Sequence, residues 1–400
     1  MEDDHKRIRR KRAIRVMITE ILMFFSVIIL VVFLTLIVLG YNFNIKKIGT
    51  EELIERAGLV QVSSVPSGAT VSVDGEEGDL FSRTNFSKTL GVGEHSITLT
   101  REGYDSWTRK VKIKEGLLFR LTYPRLFLKE REKEEILELD EGEEVEFLKN
   151  GRYLIITERA DEESSSRAKR YLDLNENKPS FKEVKASDLE DESEIKQERR
   201  LAKIKEKFSD EAELTLGEYL GEEYVVSVER GVLIGEEMIL REGAGSELEG
   251  AKNFIKFYKD ETLESGKKKT FFEKEVEFKV KGVEIRGKGE LVVVSGEDEE
   301  GGMELIYDFE TGEMLERRVE EGEKWLDEFL KYKISENKIE VFDFDGENRK
   351  EIVKTEGVEE EEEEIKIIGR LGAKISANNR YLYYFIADSG VVKLVREKIN

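Results

Sequence analysis

From Ile21 to Tyr41 no position along the chain is charged: ILMFFSVIILVVFLTLIVLGY. At 1.5 Å per residue, a helix through this run spans roughly 32 Å, the thickness of a bilayer core. The run has no polar stripe, so the pattern predicts a membrane-spanning helix over 21–41 and not a helix packed on a soluble core. It also lacks an Ala-x-Ala-like step, which favours an uncleaved anchor over a cleaved signal peptide.

The pattern then changes period. Thr50-Glu-Glu-Leu-Ile-Glu-Arg-Ala57 reads as a short helix with Thr50 as N-cap and Gly58 as its stop, forming a stalk over 42–58. Beyond it, polar and apolar positions alternate in Leu59–Ser64, Thr70–Val73, His95–Thr100 and Arg109–Lys114, the period of strands with one face buried. Asp74-Gly75 reads as a tight hairpin, because both turn positions tolerate positive φ. Pro66, one of only three prolines in the chain, has no amide hydrogen and belongs at a strand edge or start. It marks a fixed corner in a small antiparallel β-domain.

These residues carry a family resemblance. Pro66-Ser67-Gly68-Ala69 is followed by Val71-Ser-Val-Asp74-Gly75. Leu90-Gly91-Val-Gly93-Glu-His95-Ser-Ile97, Gly103-Tyr104 and Val111-Lys-Ile113 come after them. Together they resemble a PEGA domain over about 59–129, with Ser67 in place of the usual glutamate. The stretch from Gly75 to Thr89 departs from the pattern, lacking the usual threonine-proline turn. The resemblance implies a small β-sandwich module of envelope proteins, without a common catalytic site. It assigns structural roles to Pro66, Gly68, Ala69, Asp74, Gly75, Gly91, Gly93, Gly103 and Tyr104.

From 130 to 400 the strands come in loosely repeated groups. Asn150-Gly-Arg-Tyr-Leu-Ile-Ile156 is echoed by Asn378-Asn-Arg-Tyr-Leu-Tyr-Tyr384. Glu290–Val294 leads to Leu305-Ile-Tyr-Asp-Phe-Glu-Thr-Gly312; Lys338–Gly346 repeats that second half, and Arg170–Asn175 does so more weakly. Such repetition predicts a propeller-like β-domain of about six blades of about 45 residues. Ser187 to Phe208 is the exception, a charged stretch with a capping box, expected as a helical insertion at about 187–208. The fold class predicted is therefore mainly β: an N-terminal transmembrane helix, a small antiparallel sandwich, then a repeat β-domain.

Charge orients this arrangement. Residues 1–20 hold Lys6, Arg7, Arg9, Arg10, Lys11, Arg12 and Arg15, a basic tail, while the whole chain carries −22. The positive-inside rule then places the tail in the cytoplasm and residues 42–400 outside. An acidic chain of this kind excludes nucleic acid as a partner, since phosphate binding needs a basic face. There is no cysteine, and His5 and His95 are the only histidines, so thiolate chemistry, Cys-ligated metals and most zinc sites are excluded. Neither Gly243-Ala-Gly245, Gly287-Lys-Gly289 nor Gly266-Lys267 continues as a phosphate-binding loop, so no nucleotide and no other cofactor is expected.

Other candidates read as structure. The run Glu359–Glu364 has no turn to converge its carboxylates on one ion. Asp343-Phe-Asp345-Gly346-Glu347-Asn348 lacks the distal glutamate of an EF-hand, and Asp74–Asp79 is a hairpin tip; no metal site is nominated. Trp107, Trp325, Tyr381, Tyr383 and Tyr384 are candidates for a sugar-stacking surface, with core packing as the competing role. A glycosidase-like carboxylate pair cannot be selected from 88 acids, so no catalytic residue is nominated. The function expected is non-enzymatic: a single-pass envelope protein binding or scaffolding a cell-wall glycan or an envelope protein. The alternatives are a carboxylate-based hydrolase of envelope glycans and a sensor acting through a membrane partner.

Overall fold

The computed structural model describes residues 2–38, 41–43, 54–77, 82–148, 151–158, 169–182, 213–219, 222–234, 237–239, 252–259, 270–335, 338–354 and 366–400. The chain is mainly β and divides into two compact units. One is Met1–Glu102 with Ser106–Leu126; the other is Gly103–Asp105 with Phe127–Asn400. The expected insertion at 187–208 and the run Glu359–Glu364 lie outside the described residues.

The first unit begins with a helix, Glu2–Val38. Its segment Met17–Thr35 is long and apolar enough to cross a membrane, and every side chain in it is exposed. The helix stops at Val38, short of the expected Tyr41, which instead opens a strand, Tyr41–Phe43. Two four-stranded sheets follow. In one, Ile54–Val62 pairs antiparallel with Tyr41–Phe43 and Phe86–Gly91, and parallel with Leu118–Leu121. In the other, the order is Glu76–Glu77, Thr70–Val73, Gly93–Thr100, Trp107–Ile113. Val60, Val62, Val71, Ile97, Leu99, Trp107, Ile113 and Leu121 are fully buried, as the period-two alternation requires.

The helix expected over Thr50–Ala57 is a correction: residues from Ile54 onward are strand. Gly58 is not a helix stop but a site of close approach, since a Cβ there would sit 2.5 Å from the Lys114 carbonyl oxygen. Three-stranded pairing outweighs a local helical preference worth only tenths of a kcal/mol per residue.

The second unit contains five sheets among the described residues; they are labelled S1 to S5 in chain order. S1 is Glu144–Phe147, Tyr153–Thr157, Lys169–Asp173 and Ser180–Lys182. S2 is Glu213–Tyr219, Glu222–Ile234, Lys252–Lys259 and Thr270–Val276, with Glu237–Ile239 added to the second strand. S3 is Lys279–Arg286, Leu291–Asp298, Gly301–Asp308 and Glu313–Arg318. S4 is Glu323–Trp325, Leu330–Ser335, Lys338–Asp343 and Lys350–Lys354. S5 starts from Lys366–Ile367 and Ala373–Ile375 and continues through Tyr381–Asp388 and Val391–Lys398. It is completed by Lys133–Leu139, the earliest long strand of the unit.

The sequence echoes map onto equivalent strands. Tyr153–Thr157, Leu291–Asp298 and Tyr381–Asp388 are second strands. Lys169–Asp173, Gly301–Asp308 and Lys338–Asp343 are third strands, each ending in a buried aspartate: Asp173, Asp308 or Asp343. Asp173 accepts the Asn175 amide at 3.0 Å, and Asp308 the Glu310 amide at 2.8 Å. Asp343 accepts from the Asn348 side-chain amide at 2.8 Å, so the Asp343–Asn348 segment is a closed turn.

The sheets pack face to face. Leu382, Tyr384 and Ile386 of S5 join Leu330, Tyr332, Ile339 and Val341 of S4 in one core. Tyr383 and Phe385, on the opposite face of the same strand, join Leu154, Ile156 and Leu172 of S1 in another. Tyr224, Val226 and Phe257 of S2 pack with Val292, Val294 and Leu305 of S3. S3 and S4 meet through charge: Lys331 Nζ of S4 bonds Glu304 of S3 and lies 2.7 Å from Glu323 Oε1. Arg317 of S3 lies 2.5 Å from the same Glu323 oxygen.

Candidate functional site at the first strands of S3, S4 and S5

The first strands of three successive sheets bring Arg286, Trp325 and Lys374 into one charged cluster with Asp327 and Glu328. Arg286 ends the first strand of S3, where Gly287 (φ +61°) and Lys288 (φ 56°) turn the chain left-handed. A Cβ on Gly287 would also meet the Phe329 ring at 2.4 Å, so both the conformation and the space call for glycine. The Arg286 guanidinium stands 4.2 Å from the Trp325 ring centroid, and Lys331 Nζ stands 4.5 Å from it, two cation–π contacts on one half-buried indole.

One oxygen of each neighbouring carboxylate accepts from backbone. Asp327 Oδ1 accepts the amides of Phe329 and Leu330, each at 2.8 Å. Glu328 Oε2 accepts the Gly287 amide at 2.8 Å, which ties the S4 turn to the S3 turn. Arg286 donates to the Asp327 carbonyl at 3.3 Å and to Glu284 Oε2 at 2.5 Å, while its Nε is buried without a hydrogen-bond partner.

Lys374 comes from S5 and has no carboxylate in ion-pair contact among the described residues. Burial pushes its ammonium below the usual lysine range. The charge of Arg286 adds to that effect, and Asp327 and Glu328 oppose it without touching it. The cluster therefore presents a half-buried cation with carboxylates near it but not in contact, next to an aromatic face held by a second cation. Chemically it suits a ligand bearing an anionic group together with an apolar or sugar face.

Of the aromatic residues singled out in the sequence, the structure separates one from the rest. Trp107 is 2% exposed in the first unit, in edge contact with Tyr123. Tyr383 and Tyr384 are fully buried, and Tyr381 lies under the Arg396 guanidinium at 4.3 Å. Trp325 alone of them belongs to the cluster. Arg286, Asp327, Glu328 and Lys374 were not legible as a site. The one available signal was Lys374 itself, a lone charge in the uncharged stretch Leu371-Gly-Ala-Lys-Ile-Ser-Ala377.

Seven of the nine family-pattern residues lie in the first unit, and Gly103 and Tyr104 in the second. Pro66 stands at the corner before Thr70–Val73; the Gly68 amide (φ +85°) and the Ala69 amide both reach Thr84 Oγ1, at 2.9 and 3.1 Å. Asp74 and Gly75, at φ 54° and 80°, make the expected tight turn. Asp74 Oδ1 accepts the Ser96 amide at 2.8 Å and Oδ2 lies 2.7 Å from His95 Nδ1; His95 Nε2 lies 2.8 Å from the Gly91 carbonyl. Those bonds hold the Asp74 carboxyl below the usual range, the Ser96 amide most of all. Gly93 opens its strand at φ +146°. In the second unit the Gly103 carbonyl accepts the Lys129 amide at 2.9 Å, and Tyr104 bridges to Leu128.

Residues 57–125 match the PEGA domain, which points to an extracytoplasmic binding role for that module and is itself non-catalytic. None of the curated proteins matches the chain. Among solved structures, an uncharacterized protein of Listeria monocytogenes is 9% identical, covering 65% of this chain and 68% of its own, at a TM-score of 0.25. An oligogalacturonate lyase of Vibrio parahaemolyticus is 9% identical, over 67% of this chain and 97% of its own, at 0.26. An acylaminoacyl peptidase of Pyrococcus horikoshii is 12% identical, over 86% of this chain and 46% of its own, at 0.23. At these TM-scores the likenesses carry no argument about fold or activity.

Proposed function

We propose that this is a single-pass envelope protein, with its basic N-terminus in the cytoplasm and residues 42–400 outside. There the PEGA module and a five-bladed propeller hold an envelope component, a cell-wall glycan or another envelope protein. The propeller reading is supported by the order of packing. S5 lies between S4 and S1, and its outermost strand is Lys133–Leu139 from the other end of the unit, which is how a ring of blades is clasped. In such a ring the first strand of every blade faces the central axis, which sets Arg286, Trp325 and Lys374 around it.

The observation that carries the binding role is the half-buried Trp325 indole, with Arg286 at 4.2 Å and Lys331 at 4.5 Å from its ring centroid and the half-buried Lys374 supplied by the next sheet. Keeping a desolvated cation there costs stability, and an incoming carboxylate or phosphate group recovers that cost. A holding role is favoured because Asp327 Oδ1 and Glu328 Oε2 each accept backbone amides, which fixes both side chains as parts of the turns. The net charge of −22 opposes anionic polymers at long range, so affinity has to come from this local contact.

The test is co-sedimentation of the full chain in mild detergent with isolated cell-envelope material. Wild type is compared with Lys374→Met and with Lys110→Met, an exposed control in the first unit. The reading predicts at least a tenfold loss for Lys374→Met and none for Lys110→Met. Equal binding by all three would overturn it.

A further inference from the structure

Outside its helix, the first unit has four exposed large aliphatic side chains among its described residues: Leu59, Val92, Leu117 and Leu118, at 42%, 50%, 57% and 39% exposure. They are not scattered. Leu59 and Leu118 are register partners on adjacent parallel strands, and the Leu59 amide donates to the Leu117 carbonyl at 3.0 Å. The Val92 amide donates to the Arg56 carbonyl at 3.0 Å, and the Gly116 amide to the Ala57 carbonyl at 2.9 Å. All four therefore gather around positions 56–59 of one strand.

That end of the sheet is also the end tethered to the helix. Tyr41 is the register partner of Arg56, and Tyr41 is three residues beyond Val38, where the helix stops. Three residues reach at most about 11 Å, and paired strands lie about 5 Å apart. The Arg56 backbone is thus held within about 16 Å of the helix end. The opposite end, with Ser67, Gly68 and Asn85, lies about 20 Å further along the strand at 3.3 Å per residue and has no exposed large aliphatic among the described residues. The neighbouring charges are of both signs: Arg56 pairs with Glu115 at 2.9 Å, and Lys88, Glu94 and Lys114 are exposed.

We propose that Leu59, Val92, Leu117 and Leu118 rest in the outer interface of the bilayer that the helix crosses, so that the PEGA module lies against the membrane as a second contact. The occupant is the lipid surface itself, because the covalent tether keeps these side chains beside it at high effective concentration. The proposal rests on the anchor reading above.

The absence of native cysteine makes the test clean. Single variants Leu117→Cys, Val92→Cys, Ser67→Cys and Thr35→Cys of the full chain are labelled with an environment-sensitive fluorophore. They are reconstituted in phosphatidylcholine vesicles with and without lipid carrying a shallow nitroxide quencher. The proposal predicts strong quenching at Leu117→Cys, Val92→Cys and Thr35→Cys, and little at Ser67→Cys. If Thr35→Cys is quenched while Leu117→Cys and Val92→Cys behave like Ser67→Cys, the docking proposal fails and the anchor stands. If Thr35→Cys is also unquenched, the anchor reading fails and the docking proposal with it.

Discussion

Tyr383 and Tyr384, consecutive on one strand, are buried in two different cores. Tyr383 Oη donates to the Leu174 carbonyl at 2.9 Å on the S1 side; Tyr384 Oη donates to Glu397 Oε1 at 2.9 Å on the S4 side. This pair makes S5 the sheet on which two neighbours depend. Tyr383→Phe is expected to cost about 1 kcal/mol, one hydrogen bond. Tyr384→Phe is expected to cost about 1–3 kcal/mol, because it strips the donor from a carboxyl that burial already holds above the usual range. Urea unfolding of the two variants checks the order; a larger loss for Tyr383→Phe would contradict it.

The junction of S3 and S4 is ionic. Lys331 is 1% exposed and serves both Glu304 and Glu323, with Arg317 as the second cation. Lys331→Met leaves two buried carboxylates facing one guanidinium and should cost about 3–5 kcal/mol. Lys333→Met, which breaks the exposed pair with Glu320 at 3.0 Å, should cost less than about 1 kcal/mol. Thermal unfolding of both variants separates the two; equal losses would mean that the junction is not held by this network.

Acid should loosen the Asp74 turn. The folded carboxyl titrates below its ordinary value, so the folded state disfavours its protonation. Its contribution is complete above the ordinary carboxylate range and is lost as pH falls through the lowered value. Asp74→Asn should therefore be destabilised near neutrality and show a flatter stability–pH curve below about pH 4 than wild type. Chemical denaturation across that range reads this directly; parallel curves would contradict it.

Lys374 should behave in the opposite sense. Its folded ammonium titrates below the ordinary range, so its charged form is penalised in the folded state. The penalty stands at neutral pH and is relieved as pH rises from the lowered value towards the ordinary one near 10.5. Lys374→Met is predicted to be more stable than wild type at pH 7, with the difference shrinking in alkali, even as envelope binding is lost. A Lys374→Met chain less stable than wild type at pH 7 would show that the side chain serves packing and not a ligand.

Local signals in the sequence were read correctly where local chemistry decides the conformation. The alternation at Thr70–Val73 and the Asp74–Gly75 turn appear as expected, because side-chain period and turn stereochemistry act over a few residues. Ile54–Ala57 reads locally as helix and folds as strand, since its partners lie beyond a helical turn: Phe43, Asn42 and Tyr41 pair with Ile54, Glu55 and Arg56, and Gly91 pairs with Ala57. That S5 takes its last strand from Lys133–Leu139 was not legible in the sequence, because the two segments are about 250 residues apart. The Arg286–Trp325–Lys374 cluster was hidden for the same reason: its members come from three sheets, and only packing between sheets brings them together.

The measurement that bears most directly on the whole account is the sidedness of the chain. Single variants Ser67→Cys and Ala13→Cys of the full chain, expressed in intact cells, are exposed to a membrane-impermeant maleimide. The account predicts that Ser67→Cys is labelled on intact cells and Ala13→Cys only after lysis. Labelling of Ala13→Cys on intact cells, with Ser67→Cys protected until lysis, would put the PEGA module inside the cell and contradict the envelope role.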